Sequence, residues 1–193
     1  MFSIITISRQ YGAAGTTIGK KVSEALGYDL LNKAIILRSF SESNIDIEDL
    51  IEFDEKLDSD FAFGQSLFEF TNKSRQIYDV QRNVIRSMAE KGKCVIIGRN
   101  ANFILKEFDN VLNILLVGDE KWRIKHMEDM DPKISEHKLL SKLRKIDKLR
   151  EKYCYHFSRR DFLDATNYDL CLNVSHIGID RAAQIIIDYC KTE

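Results

Sequence analysis

Residues 8–17 read Ser-Arg-Gln-Tyr-Gly-Ala-Ala-Gly-Thr-Thr, the stretch whose residue types and spacing point most directly to chemistry. A short β-branched apolar run, residues 2–8, precedes it and reads as a buried strand. After it, Ile18, Val22, Ala25 and Leu26 recur at helical spacing until Gly27 supplies a stop. A glycine loop between a strand and a helix presents backbone N–H groups to an anion, and the helix N-terminus adds its dipole. The full pattern for such a loop is Gly-x-x-x-x-Gly-Lys-Ser/Thr, and this chain does not match it. Aligned on the helix, Thr16 and Thr17 take the hydroxyl positions and Gly15 falls where the lysine belongs. Lys20 and Lys21 follow only about one turn later. Gly12, Ala13, Ala14, Gly15, Thr16 and Thr17 are thus candidate phosphate-binding residues. The same residues also allow a plain β–α turn in which the Thr16 hydroxyl caps the helix.

If phosphate is handled here, the charge of the missing lysine must come from elsewhere. Arginine suits the task because its planar fork holds phosphate oxygens bidentately and never deprotonates. The candidates are Arg9 at the strand end, Lys20 in the first helix, and Arg123, Arg144 and Arg150 further along. Simpler readings stand beside these. Arg123 can pair with Glu120 at i,i+3, and a basic helical run is ordinarily a solvated face.

The rest of the chain supplies a frame for these residues. Strand-like runs at 28–31, 94–97, 111–117 and 170–174 alternate with helical patterns. The helices are expected at 33–40, around Ile77, Val84, Ile85 and Met88 up to Gly92, at 134–156, and at 179–189. Such alternation predicts an α/β fold with a parallel sheet, whose ligands bind beyond the carboxyl ends of the strands. Three of those ends carry polar residues, at 8–17, 98–100 and 118–123.

Composition narrows the function classes. The 193 residues carry 29 Lys plus Arg against 30 Asp plus Glu, a net charge of −1 that argues against a bulk nucleic-acid binder. The charge is nonetheless separated: residues 42–60 hold nine acids and one lysine, whereas residues 138–160 hold nine basic and two acidic residues. No apolar run approaches the ~20 residues of a membrane span, and the N-terminus lacks a basic region and a long enough apolar run for a signal peptide. The four scattered cysteines form no Cys-x-x-Cys pair, consistent with reduced thiols in a cytoplasmic protein. No metalloprotease or Ser-His-Asp order is present. Four phenylalanines between residues 61 and 70 suit core packing or a homodimer contact better than base stacking.

The segments Ile7-Ser-Arg-Gln-Tyr-Gly12 with Gly15 and Ile18-Gly19-Lys20, Cys94-Val-Ile-Ile-Gly-Arg-Asn-Ala101, and Asn167-Tyr-Asp-Leu-Cys-Leu-Asn-Val-Ser175 together resemble the cytidylate kinase-like family of P-loop proteins. The resemblance spans essentially the whole chain. It implies a P-loop kinase-like three-layer sandwich, with a central parallel sheet of about five strands, helices on both faces and a helical lid. It also implies a single domain over residues 1–193, with an acceptor-side insert at 40–70 and a basic lid at 134–163.

The activity implied is transfer of the ATP γ-phosphate, with Mg²⁺, to a pyrimidine nucleotide such as CMP or dCMP. Thr16 would then be the Mg²⁺ ligand. Arg86 stands thirteen residues before Arg99, a spacing similar to the arginine pair that grips the acceptor phosphate in true cytidylate kinases. Asn100 takes the place of their aspartate, and Asp147 with Arg150 resembles the Asp-x-x-Arg of the lid. Arg9, Lys20, Arg123 and Arg150 are the expected catalytic cations. Arg86, Arg99, Asn100 and Asp147 are the expected acceptor residues. Glycine in the lysine position equally motivates a nucleotide-binding regulatory or sensor protein without turnover. Asn100 motivates a kinase for another small phosphoryl acceptor.

Overall fold

The computed structural model describes residues 2–31 and 72–191. The helix expected at 33–40, the insert at 40–70, its acidic run and its phenylalanines lie outside the described residues.

Five strands form one fully parallel sheet: β1 (Ile4–Arg9), β2 (Asp29–Leu31), β3 (Cys94–Ile97), β4 (Val111–Val117) and β5 (Leu170–Asn173), in the order β2-β3-β1-β4-β5. β1 lies at the centre, with Ile4 opposite Cys94 on one side and Val111 on the other. β1, β3 and most of β4 are buried, as β-branched strands covered on both faces should be. The chain fills one side of β1 with β2 and β3 before crossing to β4 and β5. That reversal opens a crevice beyond the carboxyl end of β1.

Helices cover both faces of the sheet. α1 (Gly15–Leu26) and α7 (Ile179–Lys191) pack through Ile18, Val22, Ala182, Ile186 and Ile187 on Ile5 and Ile7. α2 (Asn72–Lys91) and the short α3 (Ala101–Ile104) pack through Ile77, Ile85, Ala89 and Ile104 on Ile4 and Ile96. The result is the expected three-layer sandwich.

Two further helices lie beyond the carboxyl ends of the strands. α4 (Glu120–Met130) precedes the basic helix α5 (Glu136–Ser158). Leu139 and Leu143 of α5 are buried against Ile124, Met127 and the loop residue Tyr11. Each such leucine contributes about 1.5–3 kcal/mol by leaving water. At its other end α5 meets α2, where Tyr78 stacks on Phe157 at 4.0 Å and Tyr153 donates a 3.2 Å hydrogen bond to Gln81. Both halves of the basic helix are thus seated on the body. The short helix α6 (Val174–Ile177) joins β5 to α7.

All four cysteines are free, and Cys94, Cys154 and Cys190 are buried whereas Cys171 is exposed on the edge strand β5. Burial pushes the Cys94 and Cys190 thiols up to about 11, which keeps them protonated and inert at neutral pH. Titration of the native protein with an aromatic disulfide reagent is therefore expected to modify Cys171 fast. The three buried thiols should react only after denaturant is added.

Candidate functional site

The glycine loop leaves β1 at Arg9 and enters α1 at Gly15. Gly12 has φ +78°, and a Cβ there would approach the Met127 sulfur at 2.9 Å and the Arg123 carbonyl at 3.2 Å. Both the turn and the space call for glycine. Ala14 is the helix cap in the left-handed region at φ 54°, and the first intrahelical donor is the Ile18 N–H, which reaches the Ala14 carbonyl at 2.9 Å. The N–H groups of Gly15, Thr16 and Thr17 therefore precede the helix ladder, as the anion-binding reading requires. Because Ala14 caps the helix, Thr16 is not its cap, and that alternative falls. Thr16 and Thr17 lie exposed in the first turn of α1.

The other side of the loop is clamped. The Asp147 carboxylate accepts the Tyr11 N–H at 2.7 Å and the Arg123 Nη1 at 2.5 Å. The same Nη1 donates to the Tyr11 carbonyl at 3.0 Å. Arg123 is only 5% exposed. Arg150 donates to the Arg9 carbonyl at 2.8 Å and lies over the Tyr11 ring. The Gln10 amide oxygen accepts the Gly118 N–H at 3.1 Å, tying the loop to the end of β4. Helices α4 and α5 thus bring Arg123, Asp147 and Arg150 onto the glycine loop, where they hold one another and the loop backbone.

The local pair expected between Glu120 and Arg123 does not hold Arg123. Arg123 turns inward, whereas Glu120 accepts a two-pronged contact from Arg144 at 2.9 and 3.0 Å. That hydrogen bond from Arg144 draws the Glu120 carboxyl below its usual range.

The second loop follows β3. Gly98 has φ +73°, and Arg99 and Asn100 are also left-handed, at 63° and 54°. With Ala14, three of the five non-glycine residues of positive φ among the described residues sit in these two loops. Each costs on the order of 1 kcal/mol and persists only where its surroundings impose it. Arg99 is half-buried. The Asn100 Nδ2 is buried and has no hydrogen-bond partner among the described residues, whereas Asn102, also buried, faces the Tyr168 hydroxyl. Such an unmet atom costs about 1–3 kcal/mol until a polar group reaches it. Gln10 and Tyr11 were passed over by sequence reasoning, since their part in holding the loop depends on α4 and α5 folding back.

Two expected residues are not drawn into this cluster. Arg86 contacts the Ile104 carbonyl and Glu107, each at 3.5 Å, and lies over the Phe108 ring. It therefore stands past the far end of α3 from Arg99. Lys20 is exposed and pairs with Glu24 along α1 at 3.8 Å.

The cluster that does form consists of a glycine loop, a helix N-terminus and four arginines, Arg9, Arg99, Arg123 and Arg150, gathered where β1 and its neighbours β3 and β4 end. Comparisons with known proteins bear on the family and the fold. The cytidylate kinase-like family profile matches residues 4–176. The cytidylate kinase of Pyrobaculum neutrophilum is 24% identical over 98% of this chain and 93% of its own. That of Saccharolobus islandicus is 23% identical over 98% and 91%. Among solved structures, an uncharacterized protein from Eubacterium ventriosum superposes with a TM-score of 0.76 at 24% identity, covering 98% of this chain and 99% of that one. Shikimate kinase from Bacteroides thetaiotaomicron gives 0.58 at 14% identity, covering 99% of both. At these identities the structural likeness establishes a shared P-loop kinase fold. The profile match, which runs through both loops and over nearly the whole chain, establishes more: the chain belongs to the cytidylate kinase-like family.

Proposed function

We propose that this protein is a nucleoside monophosphate kinase that phosphorylates a pyrimidine nucleotide, of the CMP or dCMP kind, from ATP and Mg²⁺. The observation that carries the reading is the glycine loop opening α1, with Arg9 at the end of β1, Arg99 in the turn after β3, Arg123 of α4 and Arg150 of α5 gathered at that end of the sheet. The relatives named cytidylate kinase support the nucleotide class of the acceptor. Bound Mg·ATP supplies the transferable phosphoryl group and a metal that spreads its charge. The loop fits that group, because the N–H groups of Gly15, Thr16 and Thr17 lie ahead of the helix ladder and Thr16 is exposed, so that its hydroxyl would take the metal. Among the described residues no cluster of three or more His, Cys, Asp or Glu competes for the metal.

The chain's own work is positioning. Asp147, Arg123 and Arg150 hold the loop backbone in shape. Arg99 orients the acceptor phosphate, and the Asn100 amide, without a partner among the described residues, offers it a further donor. No general base is needed, since a nucleotide phosphate is already largely ionised at neutral pH. Exposed basic side chains of α5 place positive potential beside an anionic substrate. Cytoplasmic location fits the reading, and no described helix is long and apolar enough to cross a membrane.

A coupled ADP-release assay with Mg·ATP against CMP, dCMP, UMP and AMP tests the proposal. Release stimulated most by the cytidine nucleotides is the expected result. Measurable ATP binding with no stimulation by any acceptor would favour the regulatory reading that Gly15 motivates.

A further inference from the structure

The P-loop pattern places its first glycine six residues before its lysine. With Gly15 in the lysine position, Arg9 stands where that glycine belongs and Ala14 stands for the second. The chain therefore carries a cation where the pattern has glycine, and glycine where the pattern has a cation.

The structure puts these two positions against each other. An ideal Cβ on Gly15 would lie 2.8 Å from the Arg9 Cγ and 3.2 Å from its Cβ and Cδ. The Arg9 Cβ is placed by the backbone at the end of β1, and rotation of the guanidinium alone moves none of these stem atoms. A side chain at position 15 would therefore force the Arg9 stem into another rotamer. Gly15 lies within α1 and is not among the residues of positive φ, so backbone freedom does not explain it. What the missing side chain provides is a path for Arg9. Further along that path the guanidinium rests on Gly98, where a Cβ would overlap the Arg9 Nη1. Gly98 is itself fixed by donating to the Ile7 carbonyl at 3.0 Å. The Arg9 side chain thus runs from the end of β1, across the first turn of α1, to the turn that carries Arg99 and Asn100. The Arg9 backbone is held by the 2.8 Å bond from Arg150.

We propose that Arg9 is the relocated loop cation. Its guanidinium contacts the transferring phosphoryl group in the role that lysine has in the full pattern. Gly15 is a glycine because Arg9 must lie across it, and Gly98, which its left-handed turn already favours as glycine, leaves room for the guanidinium. The inference rests on the kinase reading above. In that reaction the bond between the γ-phosphorus and the β–γ bridging oxygen of ATP breaks. A bond from an acceptor-phosphate oxygen to the same phosphorus forms, giving ADP and a nucleoside diphosphate. Arg9 keeps its protons and stabilises charge throughout. Its route between the donor loop and the acceptor turn suits it for that.

The test compares wild type, Arg9→Ala, Arg9→Gln, Gly15→Lys and the exchange variant Arg9→Ala/Gly15→Lys. Each is checked for folding by circular dichroism and thermal melting. Two readouts follow: kcat with Mg·ATP and the preferred nucleotide, and calorimetric affinity for inorganic tripolyphosphate, which reports the phosphate cradle without turnover. Loss of Arg9 is expected to lower kcat by about 10²–10³-fold. Affinity for tripolyphosphate should fall by about tenfold or more. Gly15→Lys alone should melt lower than wild type, because its stem meets that of Arg9. The exchange variant should regain wild-type melting and at least about a tenth of the lost rate, as expected for one charged contact restored.

Arg9 variants that fold and keep wild-type kcat and tripolyphosphate affinity overturn the inference while leaving an active kinase. A wild-type protein without turnover overturns the kinase reading, and the tripolyphosphate series then decides on Arg9. Affinity lost in Arg9→Ala and Arg9→Gln and regained in the exchange variant sustains the relocation. Affinity unchanged across the series removes it.

Discussion

Replacing Asp147 with alanine is expected to lower the melting temperature by about 6–20 °C. The carboxylate is 13% exposed and faces an arginine side chain that is 6% exposed. Removing one partner of a buried pair strands the other charge, which typically costs about 3–5 kcal/mol. For a domain of this size each kcal/mol moves Tm by about 2–4 °C. The substitution also orphans the Tyr11 N–H that Asp147 accepts at 2.7 Å. Replacing both partners with apolar residues, Arg123→Met with Asp147→Leu, should cost less than Asp147→Ala alone, since no charge is then left buried. Calorimetric melting of the double-mutant cycle measures this. Additive losses would show that the two side chains act separately and that the clamp is not a unit.

The second large effect is expected at Arg99. Arg99→Ala should reduce kcat/KM for the nucleotide acceptor by about 10²–10³-fold, the usual consequence of losing one fixed charge at a reacting phosphate. The acceptor KM should rise while the KM for ATP stays close to wild type. Arg99→Lys should recover part of the loss, because it restores charge but not the bidentate fork. The argument rests on the turn itself. Arg99 is held left-handed directly after Gly98, and the Arg9 guanidinium lies on Gly98. Arg86, engaged with Ile104 and Glu107, should matter less. Steady-state kinetics of the two alanine variants decide between them, and a larger loss for Arg86→Ala would place the acceptor site elsewhere.

Much of this frame could be read from residue order. Apolar, β-branched runs mark β1, β3 and β4, because the middle of a parallel sheet buries both faces and leaves no polar alternation to blur the signal. The edge strands β2 (Asp-Leu-Leu) and β5 (Leu-Cys-Leu-Asn) carry no β-branched residue, stay partly exposed and show only as short apolar stretches. Ile18 and Val22 on α1, and Ala182, Ala183, Ile186 and Ile187 on α7, marked their helices by spacing, and the buried faces are those residues. α4 was harder. Its buried residues are Arg123 and Ile124, so an arginine stands where an apolar stripe would have announced a helix. The clamp was legible only in part. Asp147 and Arg150 stood out as an Asp-x-x-Arg pair. That they grip the backbone of Tyr11 and Arg9, about 140 residues earlier in the chain, depends on how α5 seats on α4. The relation between Arg9 and Gly15 was invisible as contact. Sequence showed a missing lysine and a nearby arginine, and only the packing shows that one lies in the space the other vacates.

A loop without its lysine is expected still to serve a working nucleotide kinase. Chromatographic quantitation of nucleotides after incubating the protein with ATP, Mg²⁺ and CMP tests it most directly, because it separates phosphoryl transfer from simple ATP hydrolysis. CDP and ADP formed in equal amounts, with CMP consumed to match, are the expected result. ADP without CDP, or ATP bound and left intact, from CMP and from the other nucleoside monophosphates alike, would contradict it.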